Sequence, residues 1–308
     1  MSAVTRRLNL TAIAGALALF GSVAGAQAGH IEMFATKGFG SGLDAGEIVI
    51  LDQTNVGLSS LVGNAGGGVG LTGIDFDGQG NMWGSTLGGL GSYSNLIQID
   101  SGTGAVVGNV GPIHTNAADV NGSVISIGDL AYDVTTSRLY GIESLDHDGV
   151  NGGNIYTIDL GTGLASLIGA TIWGATGGLA FDGAGTLYAL GYDPNVGPFG
   201  TNMLFTLDPN DASEITRVTV SQNDFLFSGL GINPLTGQIY ATEDDYFGTG
   251  TGTGNVYLVD PNTGLMTYLG TPSGVVSDIA FRVPEPSMLA LMALAVVGLG
   301  VARRRRAG

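Results

Sequence analysis

Three aspartates stand at positions where a recurring segment otherwise carries small residues. The segments are Ile74-Asp75-Phe76-Asp77, Leu130-Ala131-Tyr132-Asp133, Leu179-Ala180-Phe181-Asp182, Leu230-Gly231-Ile232-Asn233 and Ile279-Ala280-Phe281-Arg282. Asp75 takes the place of Ala or Gly inside the segment, and Asp129 and Asp278 take the place of the Gly that precedes it in the other copies. Carboxylates grouped in this way can hold a metal ion or serve as acid and base in sugar cleavage. Only Asp129 and Asp278 share a register, and glycoside chemistry further requires a definite separation between the two groups, which spacing in a sequence does not supply.

Two acidic stretches form a second set. Asp146-His147-Asp148-Gly149 places oxygen ligands two apart with a Gly for a sharp turn, and Glu243-Asp244-Asp245 supplies three adjacent carboxylates. Calcium takes six to eight oxygens, so either stretch needs partners from elsewhere or from water. The first resembles the opening of a calcium loop without its twelfth-position Glu. Acidic loops content with water account equally for both stretches. His30 and His114 read as surface residues, and His147 alone has acidic neighbours. Gly-x-Ser-x-Gly, His-Glu-x-x-His and phosphate-loop patterns are missing, and no catalytic residue is assigned.

The elements that must position these residues repeat along the chain. The last position of the inner segment steps by 56, 49, 51 and 49 residues. Second strands follow at Met82-Trp83-Gly84, Leu139-Tyr140-Gly141, Leu187-Tyr188-Ala189 and Ile239-Tyr240-Ala241, and third strands end at Asp52, Asp100, Asp159, Asp208 and Asp260. A weaker fourth strand closes each unit. Four alternating segments joined by Gly- and Asp-rich turns predict a four-stranded antiparallel sheet, and such sheets bury both faces only by stacking. The first unit, beginning near Glu32, lacks an inner strand, while Val276 to Arg282 is an inner strand with no unit after it. The expected fold is therefore an all-β, five-bladed propeller in which the C-terminal strand completes the N-terminal blade. The loops between second and third strands then share one face, where loop function would concentrate.

The aspartates ending first and third strands match turn chemistry. Asp159-Leu160-Gly161-Thr162-Gly163 and Asp260-Pro261-Asn262-Thr263-Gly264 place Asp where a side chain accepts backbone hydrogen bonds and Gly where φ is positive. Glycine, 55 of 308 residues, suits many such turns. Ten basic residues against 26 acidic ones give a net charge of −16, and most of the basic ones lie at the chain ends. Such a surface repels nucleic acid and anionic lipid. The chain has no cysteine, so disulfides and thiolate metal sites are excluded.

Both ends carry addresses. Arg6 and Arg7, the apolar run from Leu8 to Phe20, and the small residues Ala26 and Ala28 around Gln27 have the order of an export signal, with cleavage expected after Ala28. Thr5-Arg6-Arg7 raises a twin-arginine route, but Asn9 stands where such a signal has a bulky apolar residue, so the motif is weak and both export routes stay open. At the other end come Pro284-Glu285-Pro286, a fifteen-residue apolar run from Met288 to Ala302, and Arg303, Arg304, Arg305 and Arg306. Both apolar runs are expected to be helices, a signal helix at the N-terminus and a transmembrane helix at the C-terminus; the latter is short for a ~30 Å hydrocarbon core but extensible by snorkelling, and the arginines hold the C-terminus on the cytoplasmic side.

These last 26 residues resemble the PEP-CTERM sorting signal of Gram-negative bacteria. The resemblance implies recognition by an exosortase, cleavage near the triplet, and delivery to the cell surface or an exopolysaccharide matrix. The chain thus divides into an export signal (1–28), the propeller (29–282) and the sorting signal (283–308). The leading expectation is a non-enzymatic surface propeller with a structural, adhesive or ligand-binding role, with exopolysaccharide or another glycan, or calcium, on its loop face. The alternative is an extracellular hydrolase of sugars or lactones working through the channel carboxylates or a metal.

Overall fold

The computed structural model describes residues 31–38, 44–65, 70–86, 93–119, 123–144, 153–171, 176–193, 195, 201–222, 226–244 and 254–282. They form twenty strands in five four-stranded antiparallel sheets. The second blade holds β4 (Leu71–Phe76), β5 (Met82–Thr86), β6 (Asn95–Ile99) and β7 (Val106–Pro112) in that order from axis to rim. The third holds β8 (Ile127–Asp133), β9 (Arg138–Glu143), β10 (Asn154–Ile158) and β11 (Ala165–Ala170). The fourth holds β12 (Thr176–Phe181), β13 (Leu187–Asp193), β14 (Thr201–Leu207) and β15 (Glu214–Thr219). The fifth holds β16 (Leu226–Ile232), β17 (Ile239–Asp244), β18 (Val256–Val259) and β19 (Met266–Gly270).

The first blade is made from both ends of the propeller. β1 (Glu32–Lys37), β2 (Glu47–Asp52) and β3 (Asn55–Asn64) are joined on the inner side by β20 (Val276–Arg282). The register pairs Met33 with Phe281 and Ala35 with Ile279, which is the circular closure that the missing inner strand predicts. Arg282 fastens the joint: Nε donates to Glu32 Oε2 at 2.9 Å, Nη2 donates to the same oxygen, Nη1 donates to Ser101 Oγ at 2.8 Å, and the guanidinium lies 5.2 Å from the centre of the Phe34 ring. The export and sorting segments lie outside the described residues.

Apolar side chains fill the wedges between blades. One cluster joins Phe34 and Ile48 of the first blade to Ile74, Phe76 and Ile97 of the second, and another joins Tyr140 and Ile155 of the third to Leu179 and Phe205 of the fourth. One repeat position supplies three aromatic contacts between neighbouring blades. Phe34 with Phe76, Tyr140 with Phe181, and Tyr240 with Phe281 each set a second-strand ring against an inner-strand ring of the next blade, at 5.3, 4.8 and 5.2 Å. Tilted and edge-on pairs of this kind add to the stabilisation from burial alone.

The aspartates at the outer turns act as the sequence predicts. Asp159 Oδ1 accepts from Gly161 N, Thr162 N and Thr162 Oγ1 at 2.8–3.0 Å, and Asp100 Oδ1 does the same for Gly102 and Thr103. Gly104, Gly163 and Gly264 end these turns at φ of 68°, 73° and 70°, and Ala212 takes the same place in the fourth blade at 58°. Each turn also seats against the preceding blade's outer strand. A side chain at Gly63 would fall on the Thr103 carbonyl, so this approach requires glycine.

His114 differs from the surface residue that the sequence predicts. Only 5% exposed, it bridges Val124 and Leu164, with Nδ1 2.9 Å from the Pro112 carbonyl. It is buried because the connection out of the second blade is stitched onto the next blade's turn: Ala165 N donates to the His114 carbonyl at 2.7 Å. His30 and His147 lie outside the described residues.

Candidate functional site on the ring axis

Each inner strand pairs with its own blade along one edge and turns the other edge to the axis. Asp77, Asp182 and Asn233 donate their N–H groups to their own hairpins, so the alternate residues before them aim theirs inward. Ile74, Leu130, Leu179, Leu230 and Ile279 occupy the same repeat position and present five amides to the centre at one level. Buried amides without acceptors would each be costly.

Asp129 and Asp278 accept all five. Asp278 takes Ile279 N on Oδ1 at 2.6 Å and Ile74 N on Oδ2 at 2.7 Å. Asp129 takes Leu130 N on Oδ1 at 2.7 Å, and on Oδ2 takes Leu179 N at 2.7 Å and Leu230 N at 3.4 Å. The other three copies carry glycine here because the strands and carboxyls leave no room for a side chain. A Cβ on Gly73 would lie 2.8 Å from Asp129 Oδ1, and one on Gly229 would lie 2.6 Å from Asp278 Oδ1.

The two carboxyls are 0% and 1% exposed and hydrogen-bond to each other. Burial drives both well above the ordinary carboxylate value of 3.8; for Asp129 the neighbouring charge of Asp278 adds to it, while the amide donors pull the other way. Two carboxylates in contact without water cannot both ionise, so the pair retains a proton that joins them.

Asp75 lies one level along the axis. Its Oδ1 accepts from Phe76 N at 2.7 Å and its Oδ2 from Tyr132 N at 2.6 Å. Protein surrounds this carboxyl although part of the residue reaches solvent, and burial, against those two bonds, pushes it up to about 7. The structure therefore brings the three axial candidates together, with every carboxylate oxygen accepting at least one backbone amide.

The acidic-loop candidates fare differently. Asp146, Asp148 and Asp245 lie outside the described residues, and Asp244 ends β17. Glu243 is not on an exposed loop: it is completely buried in β17, with Oε2 accepting from Asn255 Nδ2 at 2.7 Å and from the Tyr257 hydroxyl at 3.2 Å. The third blade repeats this arrangement, Glu143 accepting from Asn154 Nδ2 at 2.6 Å and from the Tyr156 hydroxyl at 3.3 Å. Burial and the Glu143 carboxylate push the Tyr156 hydroxyl up to about 12, so it remains a donor. A Glu at the end of the second strand with Asn-x-Tyr opening the third, in blades three and five, is the sequence signal of this clamp. Among the described residues no three His, Asp or Glu side chains are grouped to hold a metal ion.

Beyond Arg282 the chain is known by its sequence. Residues 282–306 match the PEP-CTERM protein-sorting motif. The PEP-CTERM motif implies export, sorting to the cell envelope and recognition by an exosortase-type processing enzyme. Its first matched residue, Arg282, is also the last residue of the ring-closing strand. The chain is similar in structure to a protein of unknown function from Bacteroides caccae, at TM-score 0.50 and 11% identity over 83% of this chain and 100% of that one. A putative gluconolactonase compares at TM-score 0.48 and 15% identity, over 81% and 84% of the two chains. No curated relative matches the sequence.

Proposed function

We propose that this PEP-CTERM protein is a non-enzymatic propeller displayed at the cell surface or in an exopolysaccharide matrix, where it serves a structural or adhesive role. The observation that carries this reading is the sorting motif, which begins where the closed ring ends. On this reading the apolar run after the triplet holds an inner-membrane intermediate until an exosortase-type enzyme releases the propeller, and glycan is the partner met outside. The axial carboxyls support the non-enzymatic part. Asp129 and Asp278 have their oxygens committed to blade amides and no surface open to a substrate, whereas acid–base chemistry needs a group within reach of one.

The test is expression of the full chain in hosts with and without an exosortase. The expected result is a shortened, released propeller only where the enzyme is present, and retention in the membrane fraction when Pro284 and Pro286 are replaced by Ala. Equal release in both hosts would remove the sorting reading. Turnover of a lactone or glycoside that disappears in Asp75→Asn would remove the non-enzymatic one.

A further inference from the structure

We propose that the ring joint gates processing: the exosortase-type enzyme gains the sorting motif when the end of β20 lets go of β1, and the clasp between Arg282 and Glu32 sets how often that happens. The inference rests on the sorting reading above and adds to it a role for residues of the propeller. Arg282 belongs to both parts, as the last residue of β20 and the first of the matched motif. Pro284 follows two residues later, at most ~7 Å of extended chain.

An enzyme that cuts a chain grips it in extended form, with backbone groups free to pair along the cleft. β20 has none to offer. One edge is paired with β1 from Val276 through Arg282, and the other faces the axis, where Asp278 accepts the Ile279 amide. Six of its seven residues are buried. A cleft holding several residues on the N-terminal side of a bond near the triplet must therefore draw on residues that the ring already uses.

The joint is also built differently from the other inner-strand ends. At the matching repeat position, Asp77, Asp133, Asp182 and Asn233 accept amides of the hairpin turns that lead into the second strands. β20 has no hairpin to enter, and Arg282 takes that position with a clasp in place of a turn, bonded to Glu32 through Nε and Nη2, to Ser101 through Nη1, and set against the Phe34 ring. The Arg282 and Glu32 side chains are 31% and 28% exposed, so this end of the strand meets water while Asp278, further back, is sealed in the hub. Strand ends open locally at less cost than the whole structure. Release of Arg282 therefore frees chain for the enzyme without dismantling the axis, and the charge-assisted bonds of the clasp set its frequency.

The test follows release of the propeller from the full chain by pulse-chase, in hosts with an active and an inactive exosortase, and takes the difference in rate. Glu32→Ala breaks the clasp from the side 250 residues away from the motif, and is expected to raise the enzyme-dependent rate roughly fivefold or more. Glu214→Ala breaks an ion pair of similar exposure on β15 and is expected to leave the rate unchanged. A Gly-Ser-Gly-Ser insertion between Arg282 and Val283 supplies free chain without touching the clasp, so release is expected to be fast, and Glu32→Ala to add nothing in that background. Thermal melts verify that each variant is folded at the temperature of the assay. A Glu32→Ala rate equal to that of the native chain, equal acceleration by Glu214→Ala, an insertion variant released no faster than the native chain, or a Glu32→Ala effect that persists in the insertion background would overturn the gate and leave the sorting reading standing. Equal release of the native chain in both hosts removes the sorting reading and the gate with it.

Discussion

Asp278 provides the sharpest test at the level of a single side chain. Replacing it with Ala strands the amides of Ile74 and Ile279 in a water-free centre, an expected loss of roughly 3–5 kcal/mol in urea unfolding. Asp278→Asn is expected to lose somewhat less, about 2–3 kcal/mol, because its one oxygen keeps one of the two amides while the NH2 replacing the other oxygen leaves the second amide without an acceptor. A loss below about 1 kcal/mol would show that the two amides do not depend on the carboxyl. Asp75 predicts a pH dependence. Its folded value of about 7 lies above the ordinary 3.8, so the folded chain binds more protons than the unfolded chain between these values. Stability from this group is complete below about pH 4 and declines as pH rises toward 7. A series of melting temperatures across this range should fall for the native chain and fall less for Asp75→Asn.

Within the hairpins, the same repeat solves one turn in two ways. Ser137 holds φ of 57° at an exposed position where the fifth blade uses Gly237 at 70°. A side chain is strained in this region, so Ser137→Gly is expected to stabilise by roughly 0.5–1 kcal/mol, measured by chemical denaturation. The clasp at the ring joint is a second test: Arg282→Ala removes the Glu32 and Ser101 bonds and the Phe34 contact, with an expected loss of about 1–2 kcal/mol. The hairpins were legible because turn chemistry is local. Asp159, Gly161 and Gly163 meet each other's needs within five residues, and no distant partner is involved. His114, Glu243 and the axial aspartates were harder to place because their environments come from elsewhere. His114 is covered by a blade fifty residues on, and Glu243 is fixed by Asn255 and Tyr257 across a loop. Asp129 could be identified as unusual from its glycine counterparts, but its acceptance of Leu179 and Leu230 amides depends on the ring being closed.

For the whole molecule, two populations of aspartate oppose each other. Asp100, Asp159 and Asp260, held below the ordinary value by their turn hydrogen bonds, contribute stability above about pH 4 that is lost as pH falls. Asp75 and the axial pair contribute stability that is lost as pH rises. The expected profile is a maximum on the acidic side of neutrality, checked by denaturation across the range. The five-blade count and the closure were legible because an orphan inner strand and a blade missing one are complementary defects in one sequence. Their joining also makes the ring an all-or-none object. A chain stopped before Val276 leaves Phe34 without the Arg282 contact and removes Asp278 from the axis, so it is expected to be unfolded by circular dichroism, where an open stack of repeats would merely lose its last unit.

The bond between Glu32 and Arg282 spans 250 residues, almost the length of the propeller. A polypeptide threaded outward from its N-terminus therefore delivers β1 first and its neighbour β20 last. The first blade must wait, with three of its four strands in hand, until the final strand follows. The sorting motif starts at that strand's last residue, so the strand that shuts the wheel and the address that follows it share one position in the chain.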